Sequence, residues 1–429
     1  MRILVDSCSY NCQNVGDLAM LTVAVSRLRD LFPSASIRVI TNAPHLVVRH
    51  CGAVETVPVE GRRQLLSEHL LGRANRWIPG SAWRRVEDSL RFKTPALFNA
   101  SAELKQRMRV RLRQGSGGQG VSDLTEFVDA VRTADLVVVN GAGIMTDAFR
   151  DHALGILATI DLAVRRGIPV AMFGQGLGPI DAPDLRRRAA EVLPHASLIG
   201  VRESKASVPL LESLGVDPSR IVVTGDDAIE LAMGSHPSTA APNRPAIGIN
   251  VRIAPYAGVA SAMLTDVRTV LAGVARARGA RLIGIPIAHH GGGMDLDTLR
   301  ELLDADDGAA QLDSPRAVID RIGECRVVVT GSYHGAVFAL ARGIPAVALV
   351  KSPYYAAKMA GVADQFGLGC EVVRLDIGDV KTTLRDAIDR AWDSADQVKG
   401  PLLEAAAHQV RQGRMAYARL RDLCASKVA

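Results

Sequence analysis

The strongest constraint on the fold is an alternation: short apolar runs rich in Val, Ile and Leu recur between longer stretches whose apolar residues fall at helical spacing. Residues 3–5, 37–40, 136–139, 170–173 and 198–201 are such runs, and residues 18–31 carry the helical spacing between the first two. Runs of this length read as strands, and strands separated by helices lie parallel in one sheet because each connection must cross back over it. The alternation restarts at residues 246–251, 281–286, 327–330 and 346–350, after a Pro-, Ser- and Gly-rich stretch over 234–245. A chain of 429 residues also exceeds what one hydrophobic core sustains. The pattern predicts an α/β protein of two Rossmann-like domains, residues 1–236 and 246–400, facing each other across a cleft lined by C-terminal strand ends. Residues 401–423 read as a helix within a C-terminal segment, 401–429, that packs back on the first domain. Residues 61–127 read as a mobile insert with a Gly/Ser-rich loop at 114–120.

Composition narrows the function. Hydrophobic residues make up 48% and charged residues 22%, which suits a compact globular protein and argues against long disorder. Lys and Arg (51) exceed Asp and Glu (45), a bias suited to an anionic substrate. Aromatics are 4% and no basic run is interleaved with them, so nucleic-acid binding is not expected. The six cysteines are dispersed, and Cys8 with Cys12 has no second pair at zinc spacing, so neither metal nor disulfides are expected. No apolar run has the length of a signal-peptide core or a membrane span, which gives a cytoplasmic expectation. Peripheral membrane association and homo-oligomerisation stay open.

The residues suited to chemistry stand at the predicted strand ends. Asn14-Val15-Gly16-Asp17 opens the first helix, where backbone amides attract anions, and Asp17 is expected to cap that helix or to touch a sugar hydroxyl. Its glycine spacing fits neither a dinucleotide fingerprint nor a P-loop. Asn140-Gly141-Ala142-Gly143 and Gly174-Gln175-Gly176-Leu177-Gly178-Pro179 put pliable backbone beside it, as tight turns or as the floor of a site. Arg202 suits a carboxylate or phosphate, or else pairs with Glu203 at the surface. In the second half Asn250 and Arg252 end one strand, while His289, His290 and Asp295 follow another. Adjacent residues of an extended segment point to opposite faces, so the two histidines do not chelate one ion, and a substrate loop is expected. Gly331-Ser332-Tyr333-His334-Gly335 then leads from a strand into an apolar helix, with His334 in its first turn. Histidine is the side chain suited to proton transfer near neutral pH.

In this order the motifs resemble those of the polysaccharide pyruvyl transferase family over nearly the whole chain. The family's N-x-G-D corresponds to residues 14–17, its Gly-rich turn to 140–143 and its G-Q-G-x-G-P to 174–179. Its R-[DE]-x-x-S corresponds to Arg202 and Glu203 with Ser207 displaced by one, its following Asp to Asp226, its R-L-H-G to residues 332–335 and its Y-x-x-K to 355–358. The resemblance implies a glycosyltransferase-B-like arrangement without cofactor or metal. It implies a reaction in which phosphoenolpyruvate, as co-substrate, gives its enolpyruvyl group to two hydroxyls of a glycan or lipid-linked sugar in cell-envelope or exopolysaccharide biosynthesis. Phosphate leaves and a ketal forms. His334 is then the acid that protonates the methylene. Arg202, Arg252, Ser332, Gly335 and Lys358 hold the donor, and Asn14, Gly16, Asp17, Gly143 and Gln175 hold the acceptor.

The chain departs from the family at Ser332 and Tyr333, where Arg and Leu are usual. A guanidinium is thereby missing from the expected donor site. The departure keeps open a nucleotide-sugar-dependent glycosyltransferase on the same scaffold, and a non-catalytic glycan-binding subunit.

Overall fold

The computed structural model describes residues 1–7, 9–67, 123–234, 244–252, 261–289, 294–303 and 307–425. Most of the expected insert with its loop at 114–120, most of the stretch 234–245, Cys8 and His290 lie outside the described residues. Strands β1 (Arg2–Asp6), β2 (Ser36–Thr41), β3 (Glu55–Pro58), β4 (Leu136–Asn140), β5 (Val170–Gln175), β6 (Leu198–Val201) and β7 (Ile221–Val223) form a seven-stranded parallel sheet. Its order is β3-β2-β1-β4-β5-β6-β7. Strands β8 (Ala246–Asn250), β9 (Arg281–Gly284), β10 (Cys325–Thr330), β11 (Ala346–Val350) and β12 (Cys370–Arg374) form a five-stranded parallel sheet in the order β12-β11-β10-β8-β9. The expected pair of Rossmann-like layers is present. Helices cover both faces, so β4 and β11 are buried at every position and read as continuous apolar runs rather than alternating ones.

Each sheet reverses its strand order once, between β1 and β4 in the first and between β8 and β10 in the second. Connections leave such a switch point in opposite directions, and the crevice they open is where α/β sheets take ligands. The segments after β1, β4, β8 and β10 carry Asn14, Gly143, Arg252 and His334. Topology therefore brings Asn14 and Gly143 to the crevice of the first sheet, and Arg252 and His334 to that of the second.

The last helix, Val380–Ala425, starts well before the expected residue 401 and runs through Pro401. A proline inside a helix forfeits a backbone hydrogen bond and costs roughly 3 kcal/mol. Burial on both sides offsets that cost: Leu384, Ile388 and Trp392 pack in the second domain's core, and Ala416, Tyr417 and Leu420 in the first domain's. One rod thus ties the two domains together. Tyr417 stacks on Phe173 with ring centroids 3.8 Å apart, and its hydroxyl donates to Asp227 at 3.0 Å. Among the described residues no helix is long and apolar enough to cross a membrane.

Candidate active site

Asn14, not Asp17, caps helix Val15–Leu31: its side-chain oxygen accepts from the amides of Gly16 at 3.0 Å and Asp17 at 3.3 Å. A cap stands just before the first turn, so Asp17, already inside that turn, is left to line the cleft. The same loop is stitched to the second domain, since the Val15 amide donates to the Ile287 carbonyl at 2.9 Å and the His289 amide to the Gln13 carbonyl at 2.7 Å. Across the cleft the Tyr354 hydroxyl donates to the Gly143 carbonyl at 2.8 Å. Between these contacts lies a cavity of about 310 Å³. Its first-domain wall carries Ser9, Tyr10, Asn11, Asn14 and Asn42, and its second-domain wall carries Arg252, Ser332, His334 and Lys358. The first-domain wall is rich in amides and hydroxyls and also carries Asp17 and Arg63, whereas the second-domain wall is cationic.

His334 reaches the cavity because β10 ends in a tight turn. The Ser332 amide donates to the Thr330 hydroxyl at 2.9 Å, and helix Tyr333–Ala341 begins at once. Gly335 does not line the cavity: a Cβ on it would stand 2.4 Å from Thr330 Oγ1. It serves close packing of helix on strand, so the expected donor role for Gly335 is not supported by its placement. The His334 side chain is nearly buried, with Nδ1 3.9 Å from Asp17 Oδ1 and Nε2 3.6 Å from Asp226 Oδ2. Gly16, expected on the acceptor, instead seats this ring: a Cβ on Gly16 would stand 1.9 Å from His334 Cγ. The catalytic candidate is therefore carried by the second domain and flanked by residues of the first.

The cations divide by their partners. Arg202 is 3% exposed, its Nε lies 2.9 Å from Asp226 Oδ2 and donates to the Gly174 carbonyl at 2.7 Å, and its guanidinium sits 4.7 Å over the Tyr333 ring. The expected alternative, a surface pair with Glu203, is absent because Glu203 accepts from the amides of Ala206 and Ser207 at the start of the next helix. Burial by itself would raise the Asp226 carboxyl, but the Arg202 charge and then His334 outweigh it and hold Asp226 at about 2. Arg202 thus acts through Asp226 and does not line the His334 cavity. Replacing Arg202 with Ala should cost about 3–5 kcal/mol in urea unfolding, because it strands a buried carboxylate. That replaces the simpler expectation of a lost donor contact. Arg252 pairs with Asp295 at 3.2 Å, and Asp295 also accepts from the Asn250 side chain and from the amides of Ile287 and Ala288. With those partners Asp295 braces the loop that carries His289.

Lys358 differs. Among the described residues it has no carboxylate at ion-pair distance; its Nζ lies 3.4 Å from the Tyr354 hydroxyl and 4.8 Å from the centre of the Tyr333 ring. Burial first, then the Arg202 charge, outweigh the opposing Asp17, and the ammonium is pushed down to about 7.

The order of these residues along the chain decides the family. The model of the polysaccharide pyruvyl transferases matches residues 14–352. The chain belongs to the polysaccharide pyruvyl transferase family. No curated protein sequence matches it. Among solved structures it is similar in fold to a putative UDP-N-acetylglucosamine 2-epimerase from Listeria monocytogenes, with 12% identity over 98% of this chain and 94% of that one and a TM-score of 0.57. It is likewise similar to the glycotransferase of kitacinnamycin, with 13% identity, 99% and 98% coverage and a TM-score of 0.53. A third is the UDP-GlcNAc 2-epimerase from Neisseria meningitidis bound to UDP-GlcNAc, with 10% identity, full coverage of both chains and a TM-score of 0.52. These glycosyltransferases and epimerases have the glycosyltransferase-B fold, as the resemblance implied.

In this pyruvyl transferase family member Gln175 is not a cleft ligand. It is 2% exposed, and its Nε2 donates to the Val139 and Phe173 carbonyls at 3.1 Å each, pinning the ends of β4 and β5 beneath the cavity. Gly143 does line the cavity, and a Cβ on it would stand 2.6 Å from Lys358 Nζ. Sequence reasoning gave no role to Asp226, Tyr333 or Tyr354, and none to the wall of Tyr10, Asn11 and Asn42. For that wall a signal existed, the polar run Ser9 to Asn14 directly after β1. For Asp226 the signal was its match to the family's Asp after a strand, to which no role was attached.

Proposed function

We propose that this protein uses phosphoenolpyruvate to form a pyruvate ketal on two hydroxyls of a sugar. The observation that carries the reading is His334 held between two carboxylates, at the meeting of a cationic wall and a sugar-compatible wall. An imidazole so placed carries a proton to the donor's methylene carbon and takes one back from the acceptor. Protonation builds positive charge at the adjacent carbon, a sugar hydroxyl adds there, phosphate leaves, and the second hydroxyl closes the ketal. Two hydroxyl protons are lost; one ends on the new methyl group and the other on phosphate. Arg252 and Lys358 face the carboxylate and phosphate, and Asp17 with the asparagine wall faces the acceptor.

A second reading, a nucleotide-sugar-dependent transferase, draws support from the neighbour bound to UDP-GlcNAc. Incubation with phosphoenolpyruvate and sugar diols separates the two: acceptor-dependent phosphate release supports pyruvyl transfer, whereas protection by a nucleotide sugar without phosphate release supports the rival. On the pyruvyl reading, donor affinity should fall as pH rises through about 7, because Lys358 loses its charge there. The pH profile of the donor KM checks this, and Lys358→Met should flatten that step.

A further inference from the structure

Lys358 poses a question of placement. The other cavity-lining cation of the second domain, Arg252, is fixed by a carboxylate, and so is Arg202 beside it. Lys358 is held instead by aromatic faces, with Nζ 4.8 Å from the centre of Tyr333, 5.5 Å from Tyr354 and 5.9 Å from Tyr355. A ring attracts a cation within about 6 Å of its centre, and the attraction weakens toward that limit, so Tyr333 is the dominant partner. The Tyr354 hydroxyl donates to the Gly143 carbonyl at 2.8 Å and accepts from Lys358 Nζ only at a long 3.4 Å, so it adds a weak tether beside the Tyr333 ring.

Tyr333 is 7% exposed and stands edge-on to His334, with ring centroids 5.2 Å apart at 89°. It borders both the His334 cavity and a larger, mainly apolar compartment of about 420 Å³ behind it. Lys358 and Gly143 border both as well, so the ammonium sits at the junction. The same ring carries the Arg202 guanidinium at 4.7 Å. Two like charges against one ring repel each other, and the negative face between them offsets part of that repulsion. Arg202 has Asp226 and the Gly174 carbonyl to keep it in place. Lys358 has no comparable anchor.

We propose that Tyr333 is a positioning residue: its ring holds the Lys358 ammonium at the junction of the two compartments, where it meets a substrate anion. The second half of that statement rests on Lys358 facing the donor, as read above. A leucine at this position fills volume but offers no π face, so Lys358 swings away while Arg202 stays.

The test uses full-length protein without ligand. Acylation of Lys358 by acetic anhydride is followed by mass spectrometry across pH. The charged groups acting on Lys358 are Arg202, Arg252, Asp17 and Asp226, and enclosure outweighs them all. Its labelling midpoint should be about 7 in the native protein, and in Tyr333→Leu it should rise toward about 10, the value of a solvated lysine. Tyr333→Phe, which keeps the ring, should hold the native midpoint, with Lys205 and Lys381 as unchanged exposed controls. If Tyr333→Leu fails to fold, Tyr333→Met carries the same comparison. Calorimetry with phosphoenolpyruvate adds a double-mutant cycle: Lys358→Met should weaken binding roughly tenfold in the native and Tyr333→Phe backgrounds and hardly at all in the Tyr333→Leu background. A native midpoint in both the Tyr333→Leu and Tyr333→Met variants, or equal cost of Lys358→Met in every background, overturns the proposal. The expected labelling pattern in a protein that does not bind phosphoenolpyruvate sustains the positioning and overturns the donor reading instead.

Discussion

Replacing His334 with alanine is expected to lower turnover by about 10³-fold or more, with phosphoenolpyruvate affinity changed by no more than a few-fold. Loss of a positioned acid–base group typically costs 10²–10⁴-fold, and His334 is the imidazole flanked by both Asp17 and Asp226. Donor affinity is spared because Arg252 and Lys358 stay in place, the first fixed by Asp295 and the second by Tyr333. Single-turnover kinetics beside calorimetry separates the two quantities. Equal losses in both would make His334 a binding residue and remove it from the chemistry.

Gly16→Ala is expected to do nearly as much damage from the other domain. By helix propensity alone alanine should stabilise an exposed helix by about 0.5–1 kcal/mol over glycine. Here the added methyl would stand 1.9 Å from His334 Cγ and 2.1 Å from Nδ1, and the helix is anchored by Asn14 on one side and Ile287 on the other, so neither partner yields freely. Overpacking of this kind costs about 1–3 kcal/mol, which exceeds the propensity gain. Moving the imidazole by about 1 Å costs on the order of 10²-fold in rate. The expected result is a lower melting temperature together with a fall in kcat. A stabilised, fully active variant would show that the Gly16–His334 contact is not what places the ring.

The fold was legible because its signal is local and repeated. Strand runs flanked by helical spacing need no partner to be recognised, and the two parallel sheets follow from them. The last helix was mislocated for the opposite reason: Pro401 signals a boundary locally, whereas burial in two separate cores, invisible along the chain, overrides it. The site was legible as a set of strand ends and less so as a set of roles. His334 and Arg252 follow switch-point strands, and both line the cavity. Gly16, Gly335 and Gln175 sit equally close in sequence to the cleft, yet each serves packing: one under His334, one against Thr330, one under β4. A glycine that admits a ligand and a glycine that admits a neighbouring side chain leave the same trace in a sequence. The carboxylate facing Nε2 of His334 was out of reach too, because Asp226 and His334 meet only when the domains do.

On the proposed function, the cleft transfers the pyruvyl group of phosphoenolpyruvate to a sugar diol. The most direct measurement incubates the purified protein with phosphoenolpyruvate and a panel of sugars carrying neighbouring free hydroxyls, following phosphate and product mass together. The expected result is acceptor-dependent phosphate release, one phosphate for each ketal formed, abolished in His334→Ala. Binding of a nucleotide sugar, with neither phosphate release nor ketal on any acceptor, would contradict it.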